Sequence, residues 1–98
     1  METVEHHGRT TAYRSVTGES ESATVLYVHG SAGTHALWSQ QYAPSGPASS
    51  AAALDLSGHG ASEDIDTAPG EATLTSYVDD VVAVAEATEA TVLVGNSL

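Results

Sequence analysis

The run Ala23-Thr-Val-Leu-Tyr-Val28 is short, rich in β-forming residues and almost continuously apolar. Such a run has no polar face to offer water, so it must be covered on both sides. That requirement excludes a freely exposed hairpin and asks for layers above and below a sheet. Ala51-Ala-Ala-Leu-Asp-Leu56 reads as a second buried strand, although its alanines also suit a helix, and Thr91–Val94 reads as a third. Thr34–Tyr42, between the first two, reads as a short helix stopped near Pro44. Between the last two, Leu74, Tyr77, Val78, Val81, Val82 and Ala85 form one apolar stripe at helical spacing, with Asp79, Asp80, Ala83 and Glu86 on the other side. Ser76 and Asp79 have the spacing of a capping pair, with Thr73 or Thr75 as alternative caps.

Ahead of these elements, Thr3–His7 can pair with Arg9–Val16 across Gly8 as a hairpin. The stretches 44–50 and 57–70, rich in Gly, Pro and Ser, read as loops. The expected fold is therefore one α/β domain over residues 1–98. A leading antiparallel hairpin joins a mostly parallel sheet with helices on both faces, reached by right-handed crossovers.

Charge excludes several functions. The chain has 98 residues, with 13 Asp+Glu against 2 Lys+Arg and a formal net charge of -11. Its only cations, Arg9 and Arg14, cannot gather phosphates, so neither nucleic acid nor an anionic membrane is an expected partner. The absence of cysteine removes thiolate nucleophiles, disulfides and Cys-ligated metals. No apolar run approaches a membrane span, and Met1-Glu-Thr-Val-Glu5 carries acid where a signal peptide needs base. The expected location is the cytoplasm. Small apolar residues, abundant acids and zero lysine together resemble proteins from molar-salt cytoplasms. At ~1 M salt the Debye length is about 3 Å, and surface acids barely repel one another.

Three loops follow the C-terminal ends of the expected parallel strands, the edge where open α/β sheets bind ligands. They are His29-Gly30-Ser31-Ala32-Gly33, Asp55-Leu56-Ser57-Gly58-His59-Gly60-Ala61-Ser62 and Gly95-Asn96-Ser97-Leu98. A buried strand running into Gly-x-Ser resembles the first half of a nucleophile elbow, where Gly95 would avoid crowding a strained turn. Taken with His-Gly after one strand and Asp-x-x-Gly-His-Gly-x-Ser after the next, the chain resembles the N-terminal half of the α/β-hydrolase fold family over nearly its whole length.

The resemblance implies a serine hydrolase of esters or related acyl small molecules. Ser97 matches the nucleophile, and the backbone N–H groups of Ser31 and Leu98 match the oxyanion donors. It gives His29, Gly30, Gly33, Asp55, Gly58, His59, Gly60 and Gly95 supporting structural parts, and Trp38 a place in the wall behind the oxyanion loop or in the core. His6 and His7 read as exposed strand residues. A serine at position 97, rather than aspartate, argues against the epoxide and haloalkane branches.

No cofactor or metal is expected. Gly58-His-Gly60-Ala-Ser-Glu63 lacks the third glycine of a dinucleotide fingerprint, and Asp64-x-Asp66 lacks the spacing of a calcium loop. The family needs an acid and then a histidine after the nucleophile, and neither follows Ser97 here. A chain carrying the C-terminal half, or self-association through an open sheet edge, is accordingly an expected partner. The alternative is a non-catalytic relic or interaction module that keeps the half-fold.

Overall fold

The hairpin turns on two residues with positive φ, His7 (47°) and Gly8 (75°). Two such residues in sequence match the right-handed twist of the flanking strands. They join β1 (Glu2–His6) to β2 (Arg9–Val16), with His6 opposite Arg9. The computed structural model describes residues 1–16, 24–30, 33–39, 50–62 and 73–96. Expectations for Ser31, Ser97, Leu98 and residues 40–42 lie outside these.

The remaining elements are β3 (Thr24–Val28), a single 3₁₀ turn (His35–Trp38), β4 (Ala51–Leu54), α1 (Thr73–Thr88) and β5 (Ala90–Gly95). The sheet order is β1-β2-β4-β3-β5. β1 and β2 are antiparallel, β2 meets β4 antiparallel, and β3 runs parallel to both β4 and β5. The leading hairpin and three parallel strands are thus as the sequence implies, but β5, read as buried, is an edge strand whose Val92, Leu93 and Val94 are exposed. β4 ends at Leu54, and Asp55 and Leu56 already belong to the following loop.

Alternation along the central strands sorts side chains between two cores. Tyr13, Leu26, Ala52, Leu54 and Leu56 face α1 and pack with Val84, while Tyr27, Ala51 and Ala53 face the opposite way. Trp38, carried by the 3₁₀ turn, covers that second face beside Val16 and Val25, its ring centroid 5.1 Å from Tyr27. Both faces are therefore covered, one by an α-helix and the other by a single 3₁₀ turn among the described residues. Thr34 caps that turn by accepting the Ala36 N–H at 3.2 Å.

Helix α1 departs from the simple stripe. Tyr77, Val81 and Ala85 pack against the core, but Leu74, Val78 and Val82 are 66%, 52% and 48% exposed. The face turned inward instead carries Ser76, Asp80 and Val84. Asp80, expected on the solvent side, is fully buried. Its Oδ1 accepts from Arg9 Nη2 at 3.0 Å and Thr11 Oγ1 at 3.2 Å, and its Oδ2 from the Ser57 N–H at 2.8 Å and Ser57 Oγ at 2.6 Å. Arg9 also donates to the Ser76 carbonyl at 3.0 Å. A buried carboxylate is tolerable only when so paired, and these partners rotate the helix toward the hairpin. His6 belongs to the same cluster, with Nε2 2.7 Å from Thr11 Oγ1, so only His7 is an exposed histidine of the pair. Ser76 and Asp79 lie within the helix, one turn past its start at Thr73, and form no N-terminal cap.

No helix among the described residues is long and apolar enough to cross a membrane.

Candidate functional site

The loops after β3 and β4 are joined through one imidazole. His29 is fully buried, and its Nδ1 donates to the Gly30 carbonyl at 2.6 Å. Because a carbonyl only accepts, Nδ1 carries the proton and Nε2 is left as an acceptor. That acceptor takes the Leu56 N–H at 3.0 Å. Burial pushes the His29 pKa below its ordinary value, against the opposing pull of the Gly30 carbonyl. A neutral imidazole with its lone pair already engaged braces two loops and has no free nitrogen for proton transfer. Gly33 closes the first loop by donating to the Gly30 carbonyl at 3.1 Å, and a Cβ on Gly33 would lie 3.1 Å from that oxygen.

Asp55 organises the second loop. Its Oδ2 accepts the Ala61 N–H at 3.0 Å, and its Oδ1 accepts both the His35 N–H at 2.7 Å and His35 Nδ1 at 2.9 Å. Burial alone would raise this carboxyl, but the donors of Ala61 and His35 hold it below the usual carboxylate range. Two successive tight turns follow, with His59 N–H on the Leu56 carbonyl and Ser62 N–H on the His59 carbonyl. They require positive φ at Gly58 (74°) and Gly60 (50°). At Gly60 a Cβ would fall 2.3 Å from Asp55 Oδ2, so the carboxylate occupies the space a side chain would need. His59 Nδ1 donates to the Ser57 carbonyl at 2.9 Å, and its ring lies 5.0 Å from that of His29. Ser62 Oγ accepts the Ala12 N–H at 2.7 Å and donates to the Asp55 carbonyl, which fastens the loop to β2.

The third loop leaves β5 beside the first. Gly95 is in register with Val28, and the Asn96 N–H donates to the Val28 carbonyl at 3.0 Å. A Cβ on Gly95 meets nothing within 4 Å, so the crowding expected there is not found among the described residues. Ser31, Ser97 and Leu98 adjoin these described positions in the chain but lie outside them.

Solved structures share this arrangement. A protein from Burkholderia cenocepacia described as an aryl esterase is 31% identical, superposes with a TM-score of 0.80, and is matched over 96% of this chain and 36% of its own. The chain has the fold of the α/β-hydrolases. An epoxide hydrolase from Vigna radiata (28% identity, TM-score 0.77, 98% of this chain and 31% of that one) and the thioesterase domain of the curacin biosynthetic pathway (25%, 0.77, 98% and 36%) share the fold. The chain thus spans about a third of the length of each. No family model and no curated protein matches it.

Two features of this fold escaped the sequence. His35 gave no motif signal, and its pairing with Asp55 depends on β4 and the 3₁₀ turn meeting across 20 residues. The Asp80 cluster looked like an ordinary solvated acid on a helix. The one available hint was Arg9, a scarce cation in a chain with few places to put it.

Proposed function

We propose that this chain supplies the nucleophile half of an α/β-hydrolase-fold serine hydrolase acting on esters or related acyl small molecules. Ser97 is the nucleophile: its Oγ attacks the acyl carbon, and the alcohol or thiol leaves. The backbone N–H groups of Ser31 and Leu98 receive the oxyanion of the tetrahedral intermediate, each donor contributing roughly 10²–10³ in rate. The observation that carries this reading is the β3–β5 register. Val28 sits opposite Gly95 and its carbonyl accepts the Asn96 N–H, so the chain leaves β3 at His29 and β5 at Asn96 side by side. Serine at 97 favours esters over epoxides or haloalkanes, although enzymes of those other chemistries share the same framework.

His29 has no free nitrogen, so the base comes from elsewhere. In the family order the acid and the histidine follow the nucleophile. They come from polypeptide that completes the fold, continuing this chain or as a second one. Support for such a partner lies in the surface left uncovered. Leu74, Val78, Val82 and Leu93 are exposed and line, with Val28 and Leu56, a groove of about 290 Å³ on the β5 side. A sheet edge and apolar face of this kind invite another polypeptide.

The test compares p-nitrophenyl acetate hydrolysis by this chain with that of the polypeptide encoded when translation runs on past codon 98. The longer product is expected to show a burst that Ser97→Ala abolishes, and the 98-residue chain no serine-dependent turnover. A longer product whose burst survives Ser97→Ala overturns the assignment.

A further inference from the structure

The His35–Asp55 pair takes no part in the serine chemistry. Asp55 is fully buried, and its Oδ1 holds His35 twice, through the backbone N–H at 2.7 Å and through Nδ1 at 2.9 Å. The double tether fixes the ring and its tautomer: Nδ1 donates to the carboxylate, so Nε2 is the acceptor. Nε2 has no hydrogen-bond partner among the described residues and is not buried, and the side chain keeps 24% of its surface in solvent. His29 differs on each count, being sealed and spent at both nitrogens. His35 also opens the 3₁₀ turn directly after the His29–Gly33 loop, at the ligand-binding edge of the sheet.

An imidazole oriented at Nδ1 by a buried carboxylate, with Nε2 open, is the arrangement that moves protons in hydrolases, because the carboxylate stabilises the imidazolium as it forms. We propose that His35, positioned by Asp55, is an acid–base centre that activates water toward uncharged activated acyl esters. Nε2 takes a proton from a water molecule whose oxygen bonds to the acyl carbon. The bond to the leaving alkoxide or phenoxide then breaks, and imidazolium returns the proton to the departing group or to solvent. The substrate is uncharged because the chain, with no lysine and 2 cations against 13 Asp+Glu, has little with which to hold an anion. The inference shares with the proposed function the hydrolytic reading of this edge, but not its nucleophile.

The test uses the 98-residue chain with p-nitrophenyl acetate. Wild type and Ser97→Ala are expected to hydrolyse it alike, about tenfold faster than equimolar free imidazole. His35→Gln should lose that excess, whereas His7→Gln should keep it, since His7 is an exposed histidine 3.9 Å from Asp79. Equal rates for wild type and His35→Gln overturn the proposal. Loss of the excess in Ser97→Ala instead assigns the rate to the serine. Nitrogen-15 spectra of the His35 ring give a readout that needs no variant. The neutral form of the ring is expected to carry its proton on Nδ1, and a proton on Nε2 instead overturns the proposal.

Discussion

His29 Nε2 accepts the Leu56 N–H at 3.0 Å, across 27 residues of chain. One bond therefore sets the relation between the loop after β3 and the loop after β4. It also occupies the lone pair by which this buried histidine would otherwise act as a base. Replacing His29 with alanine leaves the buried Leu56 N–H unpaired, removes one of the two donors to the Gly30 carbonyl and opens a cavity. The expected loss is about 2–4 kcal/mol of stability, read from urea unfolding in concentrated KCl.

The same histidine sets a pH dependence. His29 and His6 both have their pKa values lowered in the fold, chiefly by burial and, for His6, next by Arg9. Below their ordinary value of 6.5 the unfolded chain binds more protons than the folded one, so stability falls as pH drops. Their contribution is complete above that value. Asp55, held low, adds a second loss as pH falls below its ordinary 3.8. Melting temperatures between pH 8 and about pH 3, taken in ~1 M KCl to screen surface acids, should show both declines. A flat profile from pH 7 to about pH 5 contradicts the histidine part.

Two glycines of similar φ separate strain from collision. Gly8 (φ 75°) has nothing within 4 Å of a built Cβ, whereas at Gly60 (φ 50°) the Asp55 carboxylate would be struck. Gly8→Ala should cost about 1–2 kcal/mol, the backbone term alone. Gly60→Ala should cost more, because Asp55 must move and release His35 and Ala61. Equal melting points for the two variants would sink this account.

Asp80→Ala leaves the part-buried Arg9 without its carboxylate and removes the acceptor for Ser57 and Thr11. A loss of about 3–5 kcal/mol is expected. The neighbouring Asp79→Ala should change stability by about 0.5 kcal/mol or less, since its contact with His7 at 3.9 Å is loose. Thermal unfolding of the two variants side by side makes the comparison.

Salt should decide whether the chain folds at all. A net charge of -11 on 98 residues repels over roughly 30 Å at ~0.01 M salt and over about 3 Å at ~1 M. Circular dichroism is expected to show helix and sheet in multimolar KCl and their loss on dilution to millimolar. An unchanged spectrum contradicts the salt-adapted reading.

The strands, their order of appearance and the parallel class of the sheet were legible because they rest on local patterns. Apolar runs such as Val25–Val28 must be buried wherever they go, and glycines mark the chain reversals after them. The three loops that form the sheet edge could be read for the same reason, as motifs contained within a few residues each. The facing of α1 was not legible. A stripe of Leu74, Val78 and Val82 predicts which side of a helix is apolar, but not which side the sheet will take. That choice fell to Arg9, Thr11 and Ser57, which lie 71, 69 and 23 residues from Asp80 and need a buried acceptor. His35 became a partner of Asp55 only when β4 and the 3₁₀ turn were brought side by side. Hydropathy and turn chemistry act between neighbours in sequence, so the chain alone determined its elements and edge loops. Pairing of buried charges acts between neighbours in space, so only the tertiary structure decided the orientation of the helix and the state of each imidazole.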